Sequence, residues 1–156
     1  MENIDRAKQI ISEIIYITIA SVSKEGLPWN TPVYSAFDSS YNFFWASDKN
    51  GQHSQNVRNN PNVFLVIYTP TAPEGTGKGV YVKAKAVELT DEAEIKRGIA
   101  LLYSRKGQDP AKRKPDEFLG EYPRRIYKAV PEKFWINGKG DVNGNYIDTR
   151  AEINLV

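Results

Sequence analysis

The chain has 156 residues, 40% hydrophobic and 26% charged, a size and composition that predict one globular domain over residues 1–156 with enough apolar side chain to offset the entropy of ordering. With 21 basic and 19 acidic residues the net charge is +2, too weak a field to draw in nucleic acid or an anionic membrane surface. There is no cysteine, which excludes disulfides, thiolate nucleophiles and cysteine metal sites; with no signal-peptide pattern and no membrane-length apolar run, a soluble cytoplasmic chain is expected.

Ile4, Ala7, Ile11 and Ile14 recur three or four residues apart, predicting a short opening helix laid on a sheet by one apolar stripe. Tyr16–Val22 is rich in β-branched residues and ends at Lys24-Glu25-Gly26, a strand followed by a turn. Leu27–Phe37 is the returning strand. Pro28 and Pro32 within it lack the ladder N–H, so an edge stretch or a bulge is expected there, with backbone open to a ligand. Asp38-Ser39-Ser40 turns the chain into the aromatic strand Tyr41–Ser47, completing a predicted three-stranded meander.

The polar loop Asp48–Gly51 leads into a short helix at Gln52–Asn60, stopped by Pro61. Val63–Tyr68 is apolar on both faces and reads as the buried core strand. Pro70–Gly79 is a loop, Val80–Leu89 alternates as a long strand, and Asp91-Glu92-Ala93-Glu94 is a capping box for a helix reaching Ser104. The basic stretch Arg105–Lys114 has two readings, a solvated connection or an anion-binding patch. Arg124–Val130, Phe134–Asn137 and Tyr146–Ile153 read as closing strands separated by turns at Gly138–Asp141 and Asn143–Asn145. Six or seven strands with peripheral helices and no βαβ alternation predict a mostly β protein, an antiparallel barrel or strongly curled sheet without exposed edges.

Several chemistries are excluded by the residues themselves. Gly75-Thr76-Gly77-Lys78-Gly79 is not a phosphate loop, because Ala72 stands where its first glycine belongs and Gly79 where Ser or Thr belongs. His53 is the only histidine, so no multi-histidine metal site is possible, and no metal is expected. No nucleophile elbow and no positioned pair of carboxylates is present. The aromatic strand Tyr41–Trp45 carries no basic residue, which argues against a nucleic-acid-binding barrel. What remains is the segment from Ser47 to Asn56, where a strand end, a glycine-containing loop and a helix start bring amides, hydroxyls, Lys49 and His53 together, the outline of an anion site.

The order of these features resembles the pyridoxamine 5′-phosphate oxidase-like family of FMN-binding split barrels. The series runs Ile17-Thr18-Ile19-Ala20, Glu25-Gly26-Leu27-Pro28, Asn30-Thr31-Pro32-Val33, Phe43-Phe44-Trp45-Ala46-Ser47, His53-Ser54-Gln55-Asn56-Val57 and Asn60-Pro61-Asn62-Val63. The resemblance implies a six- to seven-stranded antiparallel split barrel that holds FMN in a groove at a homodimer interface. It implies that Thr31, Pro32 and Val33 line the flavin ring through their backbone, that Trp45, Ala46 and Ser47 flank the ribityl chain, and that Gln52, His53 and Ser54 meet the phosphate. Asn30 and Gln52-His53 stand where the oxidases themselves carry arginine and an Arg-Lys pair, with Lys49 as a compensating charge. The activity implied is that of an FMN-dependent oxidoreductase acting on a small molecule, or else a non-catalytic FMN- or tetrapyrrole-binding module; no catalytic acid or base is assigned.

Overall fold

The computed structural model describes residues 2–156. They form an antiparallel β-sheet and three α-helices, in the chain order α1 (Glu2–Glu13), β1 (Tyr16–Val22), β2 (Pro28–Tyr34), β3 (Ala36–Phe37), β4 (Phe43–Asp48), α2 (Gln52–Asn59), β5 (Asn62–Tyr68), β6 (Gly79–Glu88), α3 (Glu92–Arg105), β7 (Arg124–Val142) and β8 (Asn145–Ile153). The strands lie in the order β2-β1-β5-β6-β7-β4-β3, with β8 paired to the far half of β7.

The two ends of this path explain the shape. β2 and β3 are its terminal strands, yet only Ser35 separates them in the chain. The sheet therefore curls round until its two edges come together. It does not close: β2 is laddered to β1 and runs alongside β4 without pairing to it. Pro28 and Pro32 stand opposite Val22 and Thr18 in the β1–β2 register, and a strand with two missing donors belongs at an edge. The expected edge stretch is thus present, and the fold is a split barrel.

The same prolines overturn the expected meander and the expected loss of edges. β4 pairs with β3 and β7 rather than with β2, because β2 has no complete row of donors to offer it. The strands number eight rather than six or seven. Gly138–Asp141, expected as a turn, lies within β7, which runs unbroken for 19 residues. The chain reverses instead at Asn143 and Gly144, whose φ values of 53° and 79° are those of the tight hairpin turn that Asn-Gly favours.

Two cores form. The first fills the barrel with Ile17, Ile19, Trp45, Leu65, Val82 and Tyr127, and α1 lies against it through Ala7, Ile10 and Ile11, as its stripe predicts. The second lies outside β4 and β7, where α3 packs Ile99 and Leu102 on Phe44, Phe118 and Ile126. Gly98 makes that approach possible, since a Cβ there would stand 2.8 Å from Ile126 Cγ2. β5 is buried on one face only: Val63, Leu65 and Ile67 point inward while Phe64 and Tyr68 stay 38% and 43% exposed. Among the described residues no helix is long and apolar enough to cross a membrane.

Candidate functional site

The loop between β4 and α2 is held from all sides. Asp48 accepts from the backbone N–H of Asn50 at 2.7 Å through Oδ1, and its carbonyl accepts from Gly51 N–H at 3.1 Å and from Ser54 Oγ at 2.7 Å. Lys49 N–H donates to Pro123 O at 2.8 Å, and the Gln55 amide donates to Asn50 O at 2.7 Å. Such a loop presents its remaining donors in a fixed direction.

Those donors are the start of α2. Gly51 is its N-cap and provides no side-chain cap, so the N–H groups of Gln52, His53 and Ser54, the first three helical residues, have no intrahelical acceptor. His53 is half-buried against this turn, and its Nε2 is buried without a hydrogen-bond partner. Burial holds the imidazole pKa below its ordinary value, because the charged form is the one that loses solvation. An anion placed here would meet backbone donors, a helix dipole and a titratable imidazole together.

Behind the loop lies a polar cluster. Glu88 at the end of β6 accepts from Arg58 of α2 at 3.1 Å, from Arg125 Nε at 3.2 Å and from the Tyr127 hydroxyl at 3.2 Å. Burial and the Glu88 charge push Tyr127 up to about 12, so its hydroxyl stays protonated as the donor. Arg58 also donates to Lys49 O at 2.7 Å, and Asn56 joins α2 to Ser21 of β1 at 3.0 Å. These residues orient the helix start, and the sequence alone does not mark them. Ser54 and Arg58 share a helix face by their spacing, but nothing local joins Glu88, Arg125 and Tyr127 to them.

The predicted residues separate into groups. Gln52, His53 and Ser54 stand together at the helix start. Thr31, Pro32 and Val33 lie on the edge strand at the split, with Pro32 outward and Val33 buried. Ala46 and Ser47 are half-buried on β4 across that split. Trp45 is fully buried, stacked on Tyr127 at 5.5 Å between ring centroids, so its side chain belongs to the barrel interior. The Lys49 ammonium donates to Gly120 O at 3.1 Å and to Glu121 O, which ties it to another loop rather than leaving it as a spare charge. A cavity of about 740 Å³ opens elsewhere, between the Ser40–Asn42 turn, the β7 segment Val130–Phe134 and the C-terminal residues, and gathers none of the predicted residues.

On the outer face of the sheet, strand register aligns Pro32, Thr18, Val66, Tyr81 and Trp135 in one row across β2, β1, β5, β6 and β7. Phe64 stacks on Trp135 at 6.0 Å, and the Arg150 guanidinium sits 4.1 Å over the Tyr81 ring. A row of mostly apolar, half-buried side chains therefore begins at the edge strand and crosses the outer face of the barrel. Among the described residues no three His, Asp or Glu side chains gather to hold a metal ion.

A curled antiparallel sheet left open beside a proline-bearing edge strand, with an uncapped helix packed against it, defines a split barrel. The family model for pyridoxamine 5′-phosphate oxidase matches residues 4–135, and the chain belongs to that family. No curated protein matches it by sequence. Among solved structures it is similar to Atu2129 of Agrobacterium tumefaciens, with 17% identity, a TM-score of 0.72, and 91% of this chain and 58% of that chain covered. It is similar to a heme-binding protein of Mycobacterium smegmatis, with 15% identity, a TM-score of 0.67, and 94% and 57% covered. The heme storage protein HutZ of Vibrio cholerae gives 17% identity, a TM-score of 0.70, and 85% and 92% covered. The chain thus spans less than two thirds of the length of the first two, and the three likenesses concern the fold.

Proposed function

We propose that the protein binds FMN as a homodimer and acts as an oxidoreductase on a small molecule. The observation that carries this reading is the start of α2, an uncapped helix whose second residue, His53, keeps Nε2 buried and unpartnered. A buried polar atom without a partner costs about 1–3 kcal/mol, and a phosphate at this corner relieves that cost while using the free N–H groups of Gln52, His53 and Ser54. β2 is laddered on one side only; the bonds from Ser35 N–H to Ile15 O and from Ser23 N–H to Leu27 O set a register in which Thr31 and Val33 face β1, so the free edge offers the N–H and C=O of Asn30 and the C=O of Pro32 to the polar edge of a flavin ring. When bound, FMN would supply the redox chemistry; the residues of the chain bind it, orient it and shield it from water.

Homodimerisation completes the groove. The row from Pro32 to Trp135 starts at an exposed proline and continues through half-buried side chains, and a second copy laid on it would cover the ring from the far side. Light scattering is expected to give twice the 17.6 kDa chain mass. Calorimetry on the apoprotein is expected to show FMN bound more tightly than riboflavin, since only the phosphate reaches α2. Equal affinities for the two, or a monomer holding FMN at one per chain, would overturn the reading.

The likeness to a heme-binding and a heme storage protein favours one second reading, a tetrapyrrole-binding module using the same groove. Addition of hemin separates the two: a stoichiometric Soret band in a protein that leaves FMN unbound would select it.

A further inference from the structure

We infer that Ser21 and Asn56 form a buried strut that sets the span between the free edge of β2 and the start of α2, so that the site selects its ligand by the length of chain between ring and phosphate. The inference rests on the flavin reading for the identity of that ligand. Asn56 is bonded at both ends of its side-chain amide. Its Nδ2 donates to Ser21 Oγ of β1 at 3.0 Å, and its Oδ1 accepts from Gln52 Nε2, one turn earlier in α2, at 2.8 Å. Ser21 and Asn56 are 2% and 1% exposed, whereas Gln52 is exposed. The bonds therefore run from the wall of the barrel to the first residue of the helix.

Packing alone does not call for such a strut. Ile17 and Ile19 on the same face of β1, and Val57 beside Asn56, are apolar members of the barrel core, and an apolar pair of the same shape at 21 and 56 would be nearly as stable. An apolar contact tolerates sliding and rotation, however, while a hydrogen-bonded pair in a dry interior fixes distance and direction. Among the described residues the buried polar or charged side chains are Ser21, Ser35, Asp38, Ser54, Asn56 and Arg125. Ser21, Ser54 and Asn56, half of them, hold the eight residues of α2. Burying polar groups is costly unless each finds its partner, and their gathering on one short helix points to a demand on where that helix stands rather than on stability.

The strut meets both ends of the proposed groove. Ser21 stands opposite Trp29 in the β1–β2 ladder, next to Asn30, whose N–H and C=O lie on the free edge. At the helix end the bond to Asn56 draws the Gln52 side chain along α2, which leaves the backbone N–H groups of Gln52, His53 and Ser54 to face an anion. One ladder step, one buried amide and one turn of helix thus separate the two ends. A ligand that binds at both gains the effective concentration of its second end only while that spacing holds. FMN joins its ring to its phosphate through one ribityl chain, so a slack strut weakens FMN while a ligand of either end alone binds as before. Ser21 and Asn56 are positioning residues in this sense, touching neither ring nor phosphate.

The test compares the wild type with Ser21→Ala and Gln52→Ala, the second at an exposed residue whose backbone N–H stays in place. Calorimetry on the apoprotein measures FMN and riboflavin, and an NMR titration with inorganic phosphate measures the helix end alone. In each variant FMN should weaken about tenfold while riboflavin and inorganic phosphate stay within about twofold of the wild type. The double variant should lose no more than either single one, because both cut the same chain of bonds. A pair that only stabilises the fold would shift the melting curve and either lower FMN and riboflavin together or leave both unchanged. Either pattern, or losses that multiply to about a hundredfold in the double variant, would overturn the strut. If the wild type takes up no FMN, the flavin reading fails and the apoprotein decides the strut: lower NMR order parameters at the amides of residues 52–54 in both variants sustain it, and wild-type values overturn it.

Discussion

The helices α2 and α3 begin in opposite ways. At α3 the Asp91 carboxylate accepts from Glu94 N–H at 3.0 Å, and Glu92 and Glu94 place negative charge in the first turn, where the helix dipole favours it. At α2 the cap is Gly51, the first turn holds no acid, and Ser54 turns its hydroxyl to donate to Asp48 O rather than to accept. A helix that has only to pack is satisfied by its own residues. One that has a glycine cap and leaves its donors and an imidazole nitrogen without partners forgoes about 0.5 kcal/mol of capping, which an anionic ligand would supply.

Giving α2 the cap that α3 has is the sharpest way to break this contrast. Gly51 has φ −59° and ψ 148°, open to any residue, although a Cβ there would stand 3.3 Å from Asp48 O. Gly51→Asp should therefore raise apoprotein stability slightly, by about 0.5 kcal/mol in a denaturant titration, while its carboxylate repels the phosphate and weakens FMN about a hundred-fold or more. A stabilised variant that binds FMN like the wild type would remove α2 from the phosphate site. His53→Ala comes next: the loss of one charge-assisted hydrogen bond, worth roughly 1.5–3 kcal/mol, predicts about ten- to a hundred-fold weaker FMN in calorimetry with the melting curve little changed.

The pH dependence follows from the same imidazole. Its free-state pKa is held below the ordinary value by burial, and a bound phosphate raises it by favouring the charged form. FMN affinity is then full below the free-state pKa, falls by up to about tenfold per pH unit above it, and levels off past the bound-state pKa. The wild type should release flavin more readily at pH 9 than at pH 6, and His53→Lys should show little change over that range; equal slopes would show that the imidazole does not face the phosphate. Asp91→Ala is the smallest effect and the control. It should cost about 1 kcal/mol of stability and leave FMN affinity where it was.

What could be read from the residues was local. The stripe from Ile4 to Ile14, the N-cap at Asp91, the Asn143-Gly144 turn and the loop-helix at Asp48–Asn60 each depend on neighbours a few positions away, and each appears where expected, although the Glu94 carboxylate pairs with Lys128 at 2.7 Å rather than closing a capping box. The anion outline at Ser47–Asn56 was legible for the same reason, since a glycine loop before a helix is one local unit. β5 shows the limit. Its residues are apolar on both faces, and period alone cannot say which face meets the core and which faces outward.

The chain's own order of residues therefore decided the element types, the edge character of β2 through Pro28 and Pro32, and the family. Tertiary structure decided the rest. It paired β4 with β7 instead of β2, sent the Trp45 side chain into the barrel, tied the Lys49 ammonium to Gly120, and brought Glu88 to Arg58, Arg125 and Tyr127. Helix caps and turns are set by forces within one turn of chain, whereas strand partners, the sidedness of apolar strands and gatherings of charge depend on how the whole sheet curls.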